Sequence, residues 1–234
     1  MLHQLNVDRV LGLTPRFPYT SVDTARFSVY ATYREARLRV EPSLEYRQAF
    51  LPRSCGSVLL GPFLPSSFAH PLVLIPAVAG TAALSAFNIL AVKGTEDAVW
   101  RTGVAYVGDR ALHPVAGFFY SLAYNLVNMT LVAAGEEALY RGVIYEELRR
   151  ALGSALAKTV DAMWFPLVHL GTDVRAGLPL HAILFNAGFR AAMTVVYDFA
   201  YDRGGLPLCA AAHFWSDLLL LTARWFVYAG APPR

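Results

Sequence analysis

This 234-residue sequence has few charged side chains, since Asp, Glu, Lys and Arg together make up 16% of it. A soluble domain typically carries about 25%. Together with 56% hydrophobic residues and a mean hydropathy of +0.40, this shortage predicts an integral membrane protein. The net charge is only +3 and the basic residues are dispersed, so the composition gives no sign of nucleic-acid binding.

Several other features are missing. The only cysteines, Cys55 and Cys209, do not suggest a disulfide. Residues 1–53 are too polar for a signal peptide, so the apolar segments themselves would direct the chain to the membrane. There is no HExxH motif, which excludes a soluble-type zincin. The lack of an internal repeat argues against a small transporter that uses buried charges as a proton relay.

Long apolar runs predict membrane-spanning helices. Residues 54–92 contain no Asp, Glu, Lys or Arg, and this run is longer than the roughly 20 residues that one crossing needs. Because prolines interrupt its first part, we expect a short apolar segment and then a span. The predicted fold class is all-α, a polytopic bundle of about five transmembrane helices plus a polar N-terminal region. The expected spans cover residues 71–92, 113–136, 155–170, 180–201 and 206–228, with a loop at 93–112 and turns at 171–177 and 202–205.

Three regions follow from this pattern. Residues 1–53 form a polar juxtamembrane region with eight arginines; they form either an amphipathic helix on the membrane surface or a solvated extension of mixed structure. Residues 54–112 hold the first apolar segments and a polar loop, and residues 113–234 form the helical core. The arginine excess beside the first span predicts a cytoplasmic N-terminus. For a short chain of this type, the expected location is the bacterial inner membrane.

A cluster of charges closes one of the apolar runs. Residues 114–135 hold no charged side chain, and Glu136-Glu137-Ala-Leu-Tyr-Arg141 follows directly. Ionised groups at membrane depth are costly and usually functional. Glu137 and Arg141 are four residues apart and share a helix face, whereas Glu136 points about 100° away from Glu137. Read alone, this stretch also fits a helix end that emerges into water with an ordinary ion pair.

Two later apolar segments carry histidines at helical spacing. His169 follows Phe165 by four residues, and Asp217 follows His213 by four. Taken separately, His169 fits an interfacial histidine, and the His213–Asp217 pair fits a buried contact between helices. Arg190 lies inside the fourth span and needs a partner, with Glu137, Asp161 and a substrate cavity as the alternatives.

Taken in order, these segments match a known pattern. It resembles the CAAX prenyl endopeptidase and bacteriocin-processing (CPBP, or Abi) family of intramembrane proteases, whose motifs are EExxxR, FxxxH, FxxGxxx-small and HxxxN. The resemblance covers about residues 113–225. The matching residues are Glu136-Glu137-Ala-Leu-Tyr-Arg141, Phe165-Pro-Leu-Val-His169, Phe185-Asn-Ala-Gly188 with Ala192, and His213-Phe-Trp-Ser-Asp217. Close helix packing explains the small pair Gly188 and Ala192.

The resemblance implies an endopeptidase that cuts a membrane-embedded or lipid-modified peptide at the bilayer with glutamate-activated water. A non-proteolytic binding or immunity factor on the same scaffold is the alternative. An apolar environment makes a carboxylate a better proton acceptor, and preorganised donors stabilise a developing oxyanion. The implied roles are a general base (Glu136), a water-positioning group (His169), oxyanion stabilisers (His213 and Asp217) and site-orienting residues (Glu137 and Arg141).

Position 217 departs from the family pattern, because Asp stands where the family more commonly has Asn. An ionised Asp cannot donate a hydrogen bond, so Asp217 would have to be protonated or to orient His213. Alternatively, the site is that of a metalloprotease. The four candidate residues could then hold a divalent ion such as zinc, which would itself activate water. This candidate metal site comprises Glu136, His169, His213 and Asp217. The sequence leaves the choice open and slightly favours activation without a metal.

Overall fold

The computed structural model describes residues 19–34, 37–52, 56–91, 105–107, 110–175 and 178–227. Most of the predicted loop at 93–112 lies outside the described residues, as does Cys55. From residue 56 onward the described chain is helical except for two short strands and a few connecting residues. The helical core expected from the apolar runs is therefore present.

The helices follow one another with short connections. In chain order they are α1 (Gly56–Leu60), a 3-10 turn (Gly61–Phe63), α2 (Pro65–Phe68), α3 (Pro71–Ala91), α4 (Pro114–Leu139), a π-helix (Tyr140–Tyr145), α5 (Glu146–Leu152), α6 (Ser154–Arg175) and α7 (Leu180–Val227). Helix α7 packs against α3, α4 and α6. It is therefore the central element of the bundle.

Helix α4 begins where its sequence provides an N-terminal cap. The His113 ring nitrogen Nδ1 accepts a hydrogen bond from the Val115 N–H, and Pro114 occupies the first helical position, where its fixed φ fits a helix and no N–H is lost. The helix runs through Glu136, as predicted, and continues as the π-helix and α5. It ends before Gly153, which has a φ of 79°.

Helix α6 is longer than the sequence suggested. The predicted turn over residues 171–177 is wrong for residues 171–175, which remain helical up to Arg175. Two contacts explain the extra turn. Arg175 donates to the Thr172 hydroxyl at 3.4 Å, and Asp173 is held by Arg190 of α7. A single glycine, Gly171, is not enough to end a helix that is anchored in this way.

Helix α7 consists of two helices that form a hairpin. Gly205 breaks the helical geometry with φ 64° and ψ −161°, a conformation that favours glycine. Across the break, the Cys209 thiol lies 3.2 Å from the Tyr197 carbonyl, and the Tyr197 and His213 rings stack with centroids 4.9 Å apart. Residues so distant along one straight helix could not meet, so the chain reverses at the predicted 202–205 turn.

Within the part of the chain that the structure describes, two helical segments are long and apolar enough to cross a membrane, Pro114–Leu152 and Leu180–Ala223. A shorter apolar helix covers Pro71–Phe87. Gly205 divides the segment Leu180–Ala223 into two helices, and each is close to the roughly 20 residues that one crossing needs. The count of about five spans stays a prediction.

The N-terminal region contains strands, and so does the described part of the predicted loop at 93–112, which is therefore not all loop. Strands β1 (Tyr19–Arg34) and β2 (Arg37–Pro52) pair antiparallel, β2 pairs parallel with β3 (Ala105–Val107), and β3 pairs antiparallel with β4 (Arg110–Leu112). The amphipathic helix considered for the juxtamembrane region is therefore wrong for residues 19–34 and 37–52. Valine, threonine and tyrosine recur in β1, which also contains Phe27, and these residues favour strands.

Candidate active site

A cavity of about 310 Å³ lies between α3, α4, α6 and α7. The four side chains expected to be catalytic, contributed by three different segments, all line it. They are Glu136, His169, His213 and Asp217. The convergence that the separate motifs predicted is thus a feature of the structure.

The two adjacent glutamates point in different directions. The Glu136 side chain lines the cavity and is 12% exposed, whereas Glu137 is fully buried. This follows from the turn of about 100° per residue in a helix. Glu136 is therefore the carboxylate that a molecule in the cavity can reach.

Glu137 is held by three neighbours. Its Oε1 accepts a hydrogen bond from Arg141 at 3.2 Å and lies 2.6 Å from Nδ1 of His213. Its Oε2 accepts from the Cys209 thiol at 2.7 Å. The contact with Arg141 was expected from their spacing of four residues. The thiol contact was not, because a cysteine in an apolar run suggests only a small core residue.

Arg141 is the centre of a buried charge cluster. Besides Glu137 it binds Asp198, to which Nε donates at 3.1 Å, and the Thr194 carbonyl, to which Nη2 donates at 3.3 Å. An Asp161 carboxylate oxygen lies 3.5 Å from Nη2. All four charged side chains are fully buried. Arg141 thereby joins α4, α6 and α7 around the site.

The sequence interpretation overlooked Asp198. This carboxylate lies within the fourth apolar segment, which was a sufficient signal, because an acidic residue at that depth needs a partner. Asp161 was considered as a partner of Arg190, but it faces Arg141 instead.

Arg190 has a different partner from the two acidic residues considered. It forms a two-pronged ion pair with Asp173 of α6, and the second of its two bonds measures 3.0 Å. Arg190 also lines the cavity, as the third alternative anticipated. The pair ties the end of α6 to the first half of α7.

His213 lies between two carboxylates. Nδ1 faces Glu137, while Nε2 lies 3.2 Å from Oδ2 of Asp217 and 4.0 Å from Oε2 of Glu136. If Nδ1 donates its proton to Glu137, Nε2 can donate only when the ring carries a second proton. In a doubly protonated ring, each nitrogen would have a carboxylate oxygen as its acceptor.

His169 lines the cavity and uses one ring nitrogen within its own helix. Nδ1 lies 2.9 Å from the carbonyl oxygen of Phe165, one helical turn earlier. Because a carbonyl can only accept, Nδ1 carries the proton and Nε2 is the acceptor nitrogen. Such a nitrogen can accept a hydrogen bond from a water molecule.

The two histidines considered as ligands of a divalent metal face other groups of the protein. Among the described residues, no group of three or more His, Cys, Asp or Glu side chains is placed to hold a metal ion. Both ring nitrogens of His213 face carboxylates at hydrogen-bonding distance. A zinc site instead needs its ligand atoms directed at one common point.

The small residues of the fourth segment do not mark close helix packing. Gly188 and Ala192 are both exposed, and a Cβ built on Gly188 would meet nothing within 4 Å among the described residues. The packing interpretation of this pair is therefore wrong. Close approach occurs instead at Gly61 and Gly204, where an added Cβ would lie under 3.0 Å from another atom.

Comparison with known families agrees with the motif pattern. Residues 118–219 match the family model described as type II CAAX prenyl endopeptidase Rce1-like. This segment is Rce1-like. The family resemblance recognised from the motifs is thus confirmed over α4 to α7. The Rce1-like family points to a peptidase, and its members are integral membrane proteins. Comparison with curated proteins and with solved structures found no match.

Proposed function

We propose that this Rce1-like chain is an intramembrane endopeptidase that hydrolyses a peptide bond in a membrane-embedded or lipid-modified substrate. The observation that carries the proposal is the shared cavity, in which Glu136 lies beside the histidines of two other segments. A carboxylate at a cavity wall can accept a proton from water, and nearby donors can stabilise an oxyanion.

In the proposed reaction, Glu136 takes a proton from a water molecule held by Nε2 of His169. The resulting hydroxide attacks the carbonyl carbon, and the carbonyl oxygen becomes an oxyanion that receives a hydrogen bond from Nε2 of His213. Glu136 then gives its proton to the leaving nitrogen, and the carbon–nitrogen bond breaks. One water is consumed, and the products are a carboxylic acid and an amine.

Glu137 has an orienting role in this scheme. It binds Nδ1 of His213 on one side and Arg141 on the other, so it fixes the ring and helps to keep Nε2 protonated. Asp217 contacts the same Nε2, and it orients the donor instead of contacting the oxyanion. This assignment gives Asp217 a role that does not require it to donate a hydrogen bond.

The test is cleavage of S-farnesylated peptides and of a membrane-peptide library by the purified protein in detergent or lipid. Glu136→Gln keeps the size of the side chain but removes the base, and we expect turnover to fall by about 10²- to 10⁴-fold without a change in thermal stability. Glu147→Gln, at a carboxylate paired with Arg150, is the control and should keep full activity. If wild type and Glu136→Gln were equally inert against the whole library, a non-proteolytic binding protein would be the better description.

The proposal also gives the chain an orientation. We place the N-terminus in the cytoplasm because of the arginine excess in residues 1–53, and we propose a bacterial inner membrane as the location. Labelling of a cysteine introduced near residue 20, with a reagent that cannot cross the membrane, should then occur only after the cells are opened.

A further inference from the structure

The cavity continues from the catalytic groups along one face of α4, and a second polar group lies there. Asn128 and Val132 line the cavity together with Glu136. Asn128 is only 4% exposed, yet neither its carbonyl oxygen nor its amide nitrogen has a hydrogen-bond partner among the described residues. The hydroxyl of Thr81, on α3, also lines the cavity and is likewise unpartnered within the described part of the chain.

A buried amide without partners is unfavourable. It gives up its hydrogen bonds to water and gains none from the protein. Asn125, one turn earlier on α4, shows the usual arrangement, since its amide nitrogen donates to the Ser121 hydroxyl at 3.3 Å. Asn128 therefore has hydrogen-bonding capacity that points into the cavity and that the described fold does not use.

The chemistry of Asn128 matches a peptide group. An asparagine side chain carries one acceptor oxygen and a nitrogen that donates, as does the backbone of an extended peptide. Both Asn128 and Thr81 are uncharged, so they suit a neutral group better than a carboxylate or phosphate. Arg190 carries a positive charge and also lines the cavity, but it is already paired with Asp173.

The distance between Asn128 and Glu136 on α4 indicates which part of a bound peptide Asn128 would contact. Asn128 and Glu136 are eight residues apart on the same helix, or about 12 Å along its axis. An extended peptide advances about 3.3 Å per residue, so 12 Å corresponds to three or four residues. We propose that Asn128, assisted by Thr81, binds a backbone peptide group of the substrate three or four residues from the bond that is cut. This inference rests on the proposed function, because it supposes that the cavity holds a peptide.

The proposal can be tested by binding, without turnover. The probe is a fluorescein-labelled, S-farnesylated peptide that ends in cysteine, two aliphatic residues and serine, and its Kd is measured by anisotropy in the Glu136→Gln background. Single backbone amides are replaced by esters, which remove one N–H donor with little change in shape. We expect one position to weaken binding by about tenfold. Adding Asn128→Leu should cause a similar loss and should abolish the sensitivity to that ester.

Stability supplies an independent measurement. Leucine has nearly the shape of asparagine but no polar atoms, so Asn128→Leu should leave the unfolding temperature unchanged or raise it. Ser85→Ala is the matched control. The Ser85 hydroxyl is also buried and unpartnered among the described residues, but Ser85 is not part of the cavity wall. It should likewise leave stability intact, and it should not change the Kd.

Two results would overturn the inference. One is an unfolding temperature of Asn128→Leu several degrees below that of wild type, which would make Asn128 a structural residue. The other is additivity: if Asn128→Leu and each ester weakened binding independently at every position, Asn128 would not contact any of the replaced peptide groups. Failure of the proposed function would look different: no peptide would be cleaved by wild type, while binding and stability would still report on Asn128.

Discussion

At the scale of single residues, the main finding is the division of work within the Glu136–Arg141 motif. Glu136 faces the cavity, while Glu137 and Arg141 face inward and bind the neighbouring helices. Three carboxylates surround one guanidinium in a space without solvent contact. In such a cluster, removing one partner leaves the others as uncompensated buried charges.

Arg141→Met tests this cluster. The substitution keeps much of the side-chain volume but leaves three buried carboxylates without a cation, and we expect a loss of about 3–5 kcal/mol in unfolding free energy. Thermal unfolding in detergent measures it. The control is Arg149→Met, because the Arg149–Glu146 pair is exposed and such pairs contribute about 0–1 kcal/mol. Equal unfolding temperatures for the two variants would contradict the central role of Arg141.

Asp217 gives a second test at this scale. Because Asp217 accepts from Nε2 of His213 at 3.2 Å, Asp217→Asn should keep activity within about tenfold, since the amide oxygen can still accept. Asp217→Ala removes the contact and should lower kcat by more than Asp217→Asn. Steady-state cleavage by both variants distinguishes the possibilities. Near-total loss in Asp217→Asn would show that the negative charge itself is required, for orienting His213 or for binding a metal.

At the scale of elements, the π-helix at Tyr140–Tyr145 is the unusual feature. It begins three residues after Glu137 and contains Arg141, which is buried. Such segments are rare and often lie at functional sites. Here the irregular segment connects the cavity-lining part of α4 to α5, whose glutamates and arginines form exposed ion pairs.

Close packing between elements occurs where α7 turns. A Cβ on Gly61 would lie 2.8 Å from the backbone oxygen of Pro207, and neither backbone can move without disturbing the hairpin. We expect Gly61→Ala to lower the unfolding free energy by about 1–3 kcal/mol. Gly188→Ala should instead raise it by about 0.5–1 kcal/mol, because this helical glycine has open space and alanine is the better helix former.

Thermal unfolding of the two glycine variants, side by side, measures the contrast. A loss of stability in Gly188→Ala comparable to that in Gly61→Ala would mean that the face around Gly188 is covered by another surface in the folded protein.

At the scale of the whole molecule, the sequence predicted best where charge and hydropathy contrast strongly. A polar group in an apolar run is easy to recognise. This contrast located the segment containing Glu136, the two histidine segments and the hairpin near Gly205. The sequence did not predict which charged side chains pair across neighbouring helices. Whether Arg190 meets Asp161 or Asp173 depends on the rotation and depth of α6, which only the packed bundle determines.

Whether activity needs a metal depends on all the side chains that meet in the cavity, which different helices of the molecule contribute. The donors form hydrogen-bonded pairs and not a metal-binding group among the described residues, so we expect catalysis without a divalent ion. Purified protein would be dialysed against a strong chelator, its metal content measured by elemental analysis, and its peptide cleavage compared before and after. Activity should persist with less than about one metal ion per ten molecules. Loss of cleavage on chelation, with recovery on adding zinc alone, would instead assign Glu136, His169, His213 and Asp217 as ligands and make zinc the activator of water.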